Sequence, residues 1–117
     1  MLLGSRRRYW GQGDDRLTEL SLDEVVRRLT EEYGYPPEGA RMVADKLMGC
    51  SPQVWAAFGV WWESGDVGDL EIEGYTVQRL AAEHGMKPIA AFLTLDWLVR
   101  EPQRALTSLR RGHDRVQ

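Results

Sequence analysis

Side chains that could perform catalysis are few and scattered in this sequence. The histidines are His84 and His113, and Cys50 is the one cysteine. Cys50 stands just before Ser51-Pro52, where the start of a helix can activate a thiol. No histidine is near it in the chain, so a small buried cysteine is the better interpretation. The chain also has no phosphate-binding glycine loop and no His-Glu-x-x-His motif. We therefore predict that the protein is not an enzyme and uses no cofactor.

A run of carboxylates between residues 63 and 73 raises the question of a calcium site. Five acidic side chains fall in this stretch: Glu63, Asp66, Asp69, Glu71 and Glu73. An EF-hand loop needs oxygen ligands at alternate positions, a central glycine and a closing glutamate. Asp66 and Asp69 are three residues apart, so the ligand register fails. We expect a solvated acidic loop and no metal site.

One short pattern is shared with DNA-binding proteins. A small residue, a glycine four positions later and an apolar residue follow one another as Ala81, Gly85 and Met86. In helix-turn-helix units the small residue lets the second helix approach closely, and the glycine makes the left-handed turn. Residues 76–99 therefore resemble a helix-turn-helix pair.

The second helix of this pair departs from the DNA-reading form. Such helices offer Arg, Lys, Asn, Gln or Ser near their N-terminus to the base edges. Here Lys87 is followed by the apolar run Pro88–Phe92, and the preceding acidic stretch would repel phosphate. Two packed core helices are the preferred interpretation, and a DNA-binding regulator is the alternative. The basic contacts of that alternative would be Lys87, Arg100, Arg104, Arg110 and Arg111.

Five tryptophans are more than a chain of 117 residues usually carries. Four of them lie in two strongly apolar segments, residues 52–63 and 88–99. An aromatic core is one interpretation. The other is a surface that docks a partner, because tryptophan is enriched at binding hot spots. A helix that is apolar nearly all round is hard to cover in a small domain, and a homodimer interface would cover it. The candidate interaction surface is Trp55, Phe58, Trp61, Trp62 and Trp97.

Helix start and stop signals must position these residues. Ser21 with Glu24 predicts a capping box, and Ser51-Pro52 and Thr76 predict two further helix starts. A glycine or a proline follows the apolar-periodic segments, which predicts their ends. The pattern predicts an all-α fold, a compact bundle of about six helices. At most a trace of β structure is expected near residues 70–75, where apolar and acidic residues alternate.

Composition is typical of one ordinary globular domain. The chain has 43% hydrophobic and 28% charged residues, both near the globular average. We place the domain at residues 17–112, with a flexible N-terminal tail at 1–16 and a C-terminal tail at 113–117. No apolar run reaches the ~20 residues of a membrane span, and the single cysteine favours a reducing compartment. This compartment indicates a cytoplasmic protein. Because arginine greatly outnumbers lysine, we also expect a GC-rich bacterial gene.

Charge is unevenly distributed along the chain. The net charge is −3, residues 61–86 are acidic, and both ends are basic. A nucleic-acid-binding domain is more often basic overall. We predict a non-catalytic protein-interaction or regulatory module that self-associates as a homodimer. A helix-turn-helix DNA-binding regulator is the alternative, and a small-ligand binder or an enzyme is the third hypothesis.

Overall fold

The structure is a computed structural model that describes residues 7–11 and 17–116. Within those residues it contains two strands and six helices, which confirms the predicted all-α class. The elements are β1 Arg7–Gly11, β2 Leu17–Ser21, α1 Leu22–Tyr33, α2 Pro37–Met48, α3 Pro52–Ser64, α4 Val77–His84, α5 Pro88–Arg100 and α6 Pro102–Val116. The chain divides into two compact units, Met1–Cys50 and Ser51–Gln117.

The first unit begins with a small antiparallel sheet that the sequence pattern does not predict. β1 and β2 pair from Arg7 opposite Ser21 to Gly11 opposite Leu17. Residues 7–11 of the tail predicted at residues 1–16 therefore form a strand paired with β2, and the flexibility of that tail stays a prediction. The remaining residues of that predicted tail lie outside the described part of the chain.

Two helices complete the first unit. The Oγ atom of Ser21 accepts a hydrogen bond from the amide of Glu24 at 3.2 Å, which confirms the predicted cap of α1. α1 ends at Gly34, whose φ of 72° lies in the left-handed region that glycine adopts without strain. α1 and α2 pack against each other. The buried apolar residues of this helix pair include Val25, Leu29, Ala40, Ala44 and Leu47.

The second unit is built around α5, which packs against α3, α4 and α6. Three neighbours on one element explain why its sequence is apolar on almost every side. The large side chains with almost no exposed surface in this unit are Val54, Phe58, Leu80, Phe92, Leu95 and Leu98. Sequence periodicity correctly indicates that α3 and α5 contribute most of this core.

A two-residue turn lies between α3 and α4. Ile72 and Tyr75 exchange both main-chain hydrogen bonds at 2.9 Å. Between them Glu73 and Gly74 have φ values of 52° and 84°, and two consecutive positive values are the signature of a type I′ turn. The β structure predicted near residues 70–75 is present as this single bridge.

Helix α6 extends further than the sequence predicts. Gly112 predicts a helix end, but α6 continues to Val116. Residues 113–116 of the predicted C-terminal tail therefore belong to α6, residue 117 lies outside the described part, and the tail boundary stays a prediction. A glycine inside a helix costs about 1 kcal/mol relative to alanine and does not by itself end the helix. The predicted single domain at residues 17–112 stays a prediction.

Candidate interaction surface

An aromatic cluster occupies the inner side of α3. The ring of Phe58 lies at its centre, with centroid distances of 5.6 Å to Trp55, 6.0 Å to Trp61 and 5.3 Å to Trp62. Phe92 of α5 approaches the Phe58 ring edge-on, at 5.9 Å and an interplanar angle of 84°. Edge-to-face and tilted contacts at these distances are favourable for aromatic rings. The cluster therefore joins α3 to α5.

Three of the predicted surface residues belong to this core. Trp55, Phe58 and Trp62 expose only 3%, 0% and 6% of their surface. Their helical spacing places them on the covered side of α3, and their assignment to an interaction surface stays a prediction. Trp61 and Trp97 are half-buried, so they keep a surface from which a partner can be contacted.

The opposite side of α3 is apolar and uncovered. Val60 exposes 48% of its surface, Ala56 is exposed, and Ala57 is half-buried. Gln53 and Ser64 close this side at the two ends of the helix, and both are exposed. Residues spaced by three, four and seven positions share one helix face. We call Gln53, Ala56, Ala57, Val60 and Ser64 the outer α3 face.

Trp97 is held at the junction of α5 and α6. Its Nε1 atom donates a hydrogen bond to Oε1 of Glu101 at 3.3 Å. Oε2 of the same carboxylate pairs with Arg104 at 3.0 Å. Exposed pairs of this kind contribute about 0–1 kcal/mol each. The two contacts of Glu101 orient the Trp97 indole and pair Arg104, one of the arginines proposed to contact nucleic acid.

Asp96 is a buried carboxylate whose role the sequence does not reveal. It exposes 6% of its surface, and its Oδ1 accepts a hydrogen bond from the amide of Ser51 at 2.7 Å. Its Oδ2 pairs with Nε of Arg100 at 2.9 Å. In a capping box, the third helical residue would accept from the amide of the cap residue. In α3 that position is Val54, which has no acceptor, so Asp96 supplies the acceptor from α5.

The hydroxyl groups of the cap residues of α3 and α4 differ in their hydrogen bonds. The Oγ1 atom of Thr76 accepts from the Arg79 amide at 3.0 Å, whereas Oγ of Ser51 has no hydrogen-bond partner within the described residues. We expect Thr76→Ala to lower the free energy of unfolding by about 1 kcal/mol. Ser51→Ala should change it by less than about 0.5 kcal/mol, because Asp96 caps this helix through the main chain. Urea denaturation measures both, and an equal loss at Ser51 would contradict this assignment.

The helix pair and the glycine turn predicted for residues 76–99 are present. α4 packs against α5, and Gly85 between them has a φ of 66°. The amide of Gly85 donates to the carbonyl oxygen of Ala81 at 3.0 Å. The exposed residues at the start of α5 are nevertheless only the cap residue Lys87 and then Ala90, so this start offers few donors to a base edge.

The basic residues of the DNA-binding alternative do not form one free cluster. Arg100 is paired with Asp96, and Arg104 is paired with Glu101. Lys87 and Arg100 stand at opposite ends of α5, about 20 Å apart along the helix axis. The remaining two, Arg110 and Arg111, are exposed on α6.

The acidic side chains between residues 63 and 73 face solvent, and Arg79 of α4 holds the turn that follows them. The carboxylates predicted to be solvated, at positions 63, 66, 69, 71 and 73, are all exposed. The guanidinium of Arg79 lies 4.4 Å from the ring centroid of Tyr75 and donates to the Gly74 carbonyl oxygen at 2.8 Å. Its hydrogen bond to Glu83 raises the pKa of Arg79. These contacts hold the turn against α4.

The described residues offer neither a metal site nor a membrane-spanning helix. Within residues 7–11 and 17–116, no group of three or more His, Cys, Asp or Glu side chains is arranged to hold a metal ion. None of the helices in the same ranges combines the length and the apolar character of a membrane span. Cys50 is buried, and His84 is half-buried.

Comparison with known proteins gives no relative from which function can be carried over. No family model matches the chain, and no curated protein or solved structure matches it significantly.

Proposed function

We propose that the chain is a non-catalytic protein-interaction module that self-associates through the outer α3 face. The observation that carries the proposal is the exposure of Val60. It lies one helical turn after Ala56 and Ala57, on a face that has no charged residue at its centre. Apolar faces left open on a single chain often mark interfaces. A two-fold homodimer is the commonest way in which a chain covers such a face with itself.

The size of this face indicates a weak dimer. The thirteen residues of α3 span about 20 Å, on a helix about 10 Å across. A pair of such faces buries several hundred Å², well below the ~1,200–2,000 Å² of stable interfaces. We therefore expect an equilibrium between monomer and dimer that depends on concentration.

Light scattering after size exclusion tests the proposal. Between about 10 µM and about 1 mM the average mass should rise from one chain towards two, because a small apolar interface gives affinities in this range. Val60→Glu should abolish the rise, because a carboxylate would be desolvated in the interface.

Met42→Glu is the matched control. Met42 exposes 63% of its surface on α2 and is not one of the residues of the outer α3 face, so its replacement should leave the rise in mass unchanged. A wild-type mass of one chain at every concentration would reject self-association. The chain would then need a different partner or a different function.

The DNA-binding regulator remains the second candidate because α4 and α5 have the helix-turn-helix turn. Exposed Arg110 and Arg111 on α6 would support it by contacting phosphate. That the protein is not an enzyme, and that it is cytoplasmic, stay predictions. The third hypothesis, a small-ligand binder or an enzyme, has no specific observation in its favour.

Gel-shift titration at ~150 mM salt distinguishes a DNA-binding regulator from the interaction module, since non-specific phosphate contacts are screened at this salt concentration. We expect only weak, sequence-independent binding that disappears as the salt concentration rises, because a few arginines release few counterions. Arg110→Ala should weaken that binding equally for all sequences. Tight binding to one DNA sequence, lost in Lys87→Ala, would favour the regulator over the interaction module.

A further inference from the structure

We infer that the partner on the outer α3 face is the same face of a second copy, packed antiparallel about a two-fold axis near residue 58. This inference rests on the proposed function and adds the identity and the direction of the partner helix. In this register Ala56 faces the partner's Val60, and Gln53 faces the partner's Glu63. By symmetry each contact occurs twice.

Side-chain size favours the antiparallel register. Val60 is the one large apolar residue of the outer α3 face, and Ala56 lies one helical turn before it on the same side. Antiparallel packing places each valine against an alanine, so the two surfaces interlock and the helix axes approach closely. Parallel packing would place valine on valine and alanine on alanine. Gaps would then remain beside the alanines.

The position of the charged residue in α3 also favours antiparallel packing. Glu63 is the only charged residue of α3 and lies in its last turn, while its first turn contains no acidic residue. The N-terminus of a helix carries a partial positive charge. Antiparallel packing brings the partner's Glu63 beside Gln53 and the start of α3, and it keeps the two Glu63 carboxylates far apart. Parallel packing would bring two glutamates together at one end.

Disulfide trapping with two separate cysteine variants tests the direction. Gln53→Cys and Ser64→Cys are each made in a Cys50→Ala background, and the two proteins carry tags of different mass. In the antiparallel register, position 53 of one copy lies beside position 64 of the other. Two copies of position 64 lie about 18 Å apart along the axis, and two copies of position 53 about 15 Å. Both separations exceed the ~7 Å limit between Cα atoms for a disulfide.

We expect a covalent heterodimer in the oxidised mixture, and little covalent dimer from either variant alone. Covalent dimers from each variant alone would overturn the antiparallel arrangement. No cross-link at all, while light scattering still detects a dimer, would overturn the assignment of the partner to this face. A monomer at every concentration would instead reject the proposed function, so the two failures are distinguishable.

The background substitution has its own control. Cys50 exposes 3% of its surface, and its replacement by alanine can lower stability. Far-UV circular dichroism and light scattering of Cys50→Ala establish whether the fold and the dimer persist. Should either be lost, the same two cysteines are placed in the chain that retains Cys50. The heterodimer is then recognised by the sum of the two tagged masses. The chain with Cys50 as its one cysteine shows how much covalent dimer forms through Cys50 itself.

Discussion

Phe58→Ala should lower the free energy of unfolding by about 3–5 kcal/mol, the range found for removing a buried phenylalanine. Phe58 has no exposed surface, and four aromatic rings lie within 6.0 Å of its centroid. Alanine would leave a cavity that these rigid rings cannot easily fill. Urea denaturation followed by tryptophan fluorescence measures the loss. The work is done at low protein concentration, so that self-association does not contribute.

Val60→Ala is the matched control for this prediction, because it removes apolar atoms from the other side of the same helix. Its side chain is about half exposed, so the loss should stay below about 1 kcal/mol. At high concentration the same variant should weaken dimerisation. Comparable losses for Phe58→Ala and Val60→Ala would contradict the division of α3 into an inner and an outer side.

Asp96→Ala should lower the free energy of unfolding by about 2–3 kcal/mol, because it leaves the Ser51 amide without its acceptor. Asp96 is the buried partner of that amide at 2.7 Å, and no residue in the first turn of α3 is acidic. Its removal would also leave the guanidinium of Arg100 without the carboxylate it pairs with. Urea denaturation at neutral pH measures the change.

Arg100→Ala and Asp96→Asn separate the two contacts of this carboxylate. The Arg100 side chain is 54% exposed, so its loss should cost less than about 1 kcal/mol and should shrink as salt is added. Asp96→Asn keeps an oxygen for the Ser51 amide and should fall between the two alanine variants. A loss at Arg100 as large as that at Asp96 would show that the ion pair, rather than the cap, is the stabilising contact.

Local signals in the sequence were sufficient for the helices and for most of their ends. A serine or threonine side chain, a proline or a glycine acts on the main chain within a few residues. Ser21, Thr76 and Gly34 therefore behave as their neighbours in the chain predict. The turn at Gly85 follows for the same reason, because its backbone conformation depends on the residue itself.

Contacts between distant residues were decided only by the tertiary structure. β1 has only five residues and ends at Gly11, and only its pairing with β2 makes it a strand. The role of Asp96 depends on a residue 45 positions away. Asp96 stands alone as an acidic residue in the apolar sequence of α5. Nothing near it in the chain indicates which main-chain amide donates a hydrogen bond to it.

The two sides of α3 illustrate the same limit. Its composition determined that the helix would be apolar nearly all round, and that a small domain would have difficulty covering it. Composition did not distinguish the side with Trp55, Phe58 and Trp62 from the side with Val60, because both are apolar. Packing against α5 made that choice. The large rings lie inside because they fill the space between the helices, and the small residues remain outside.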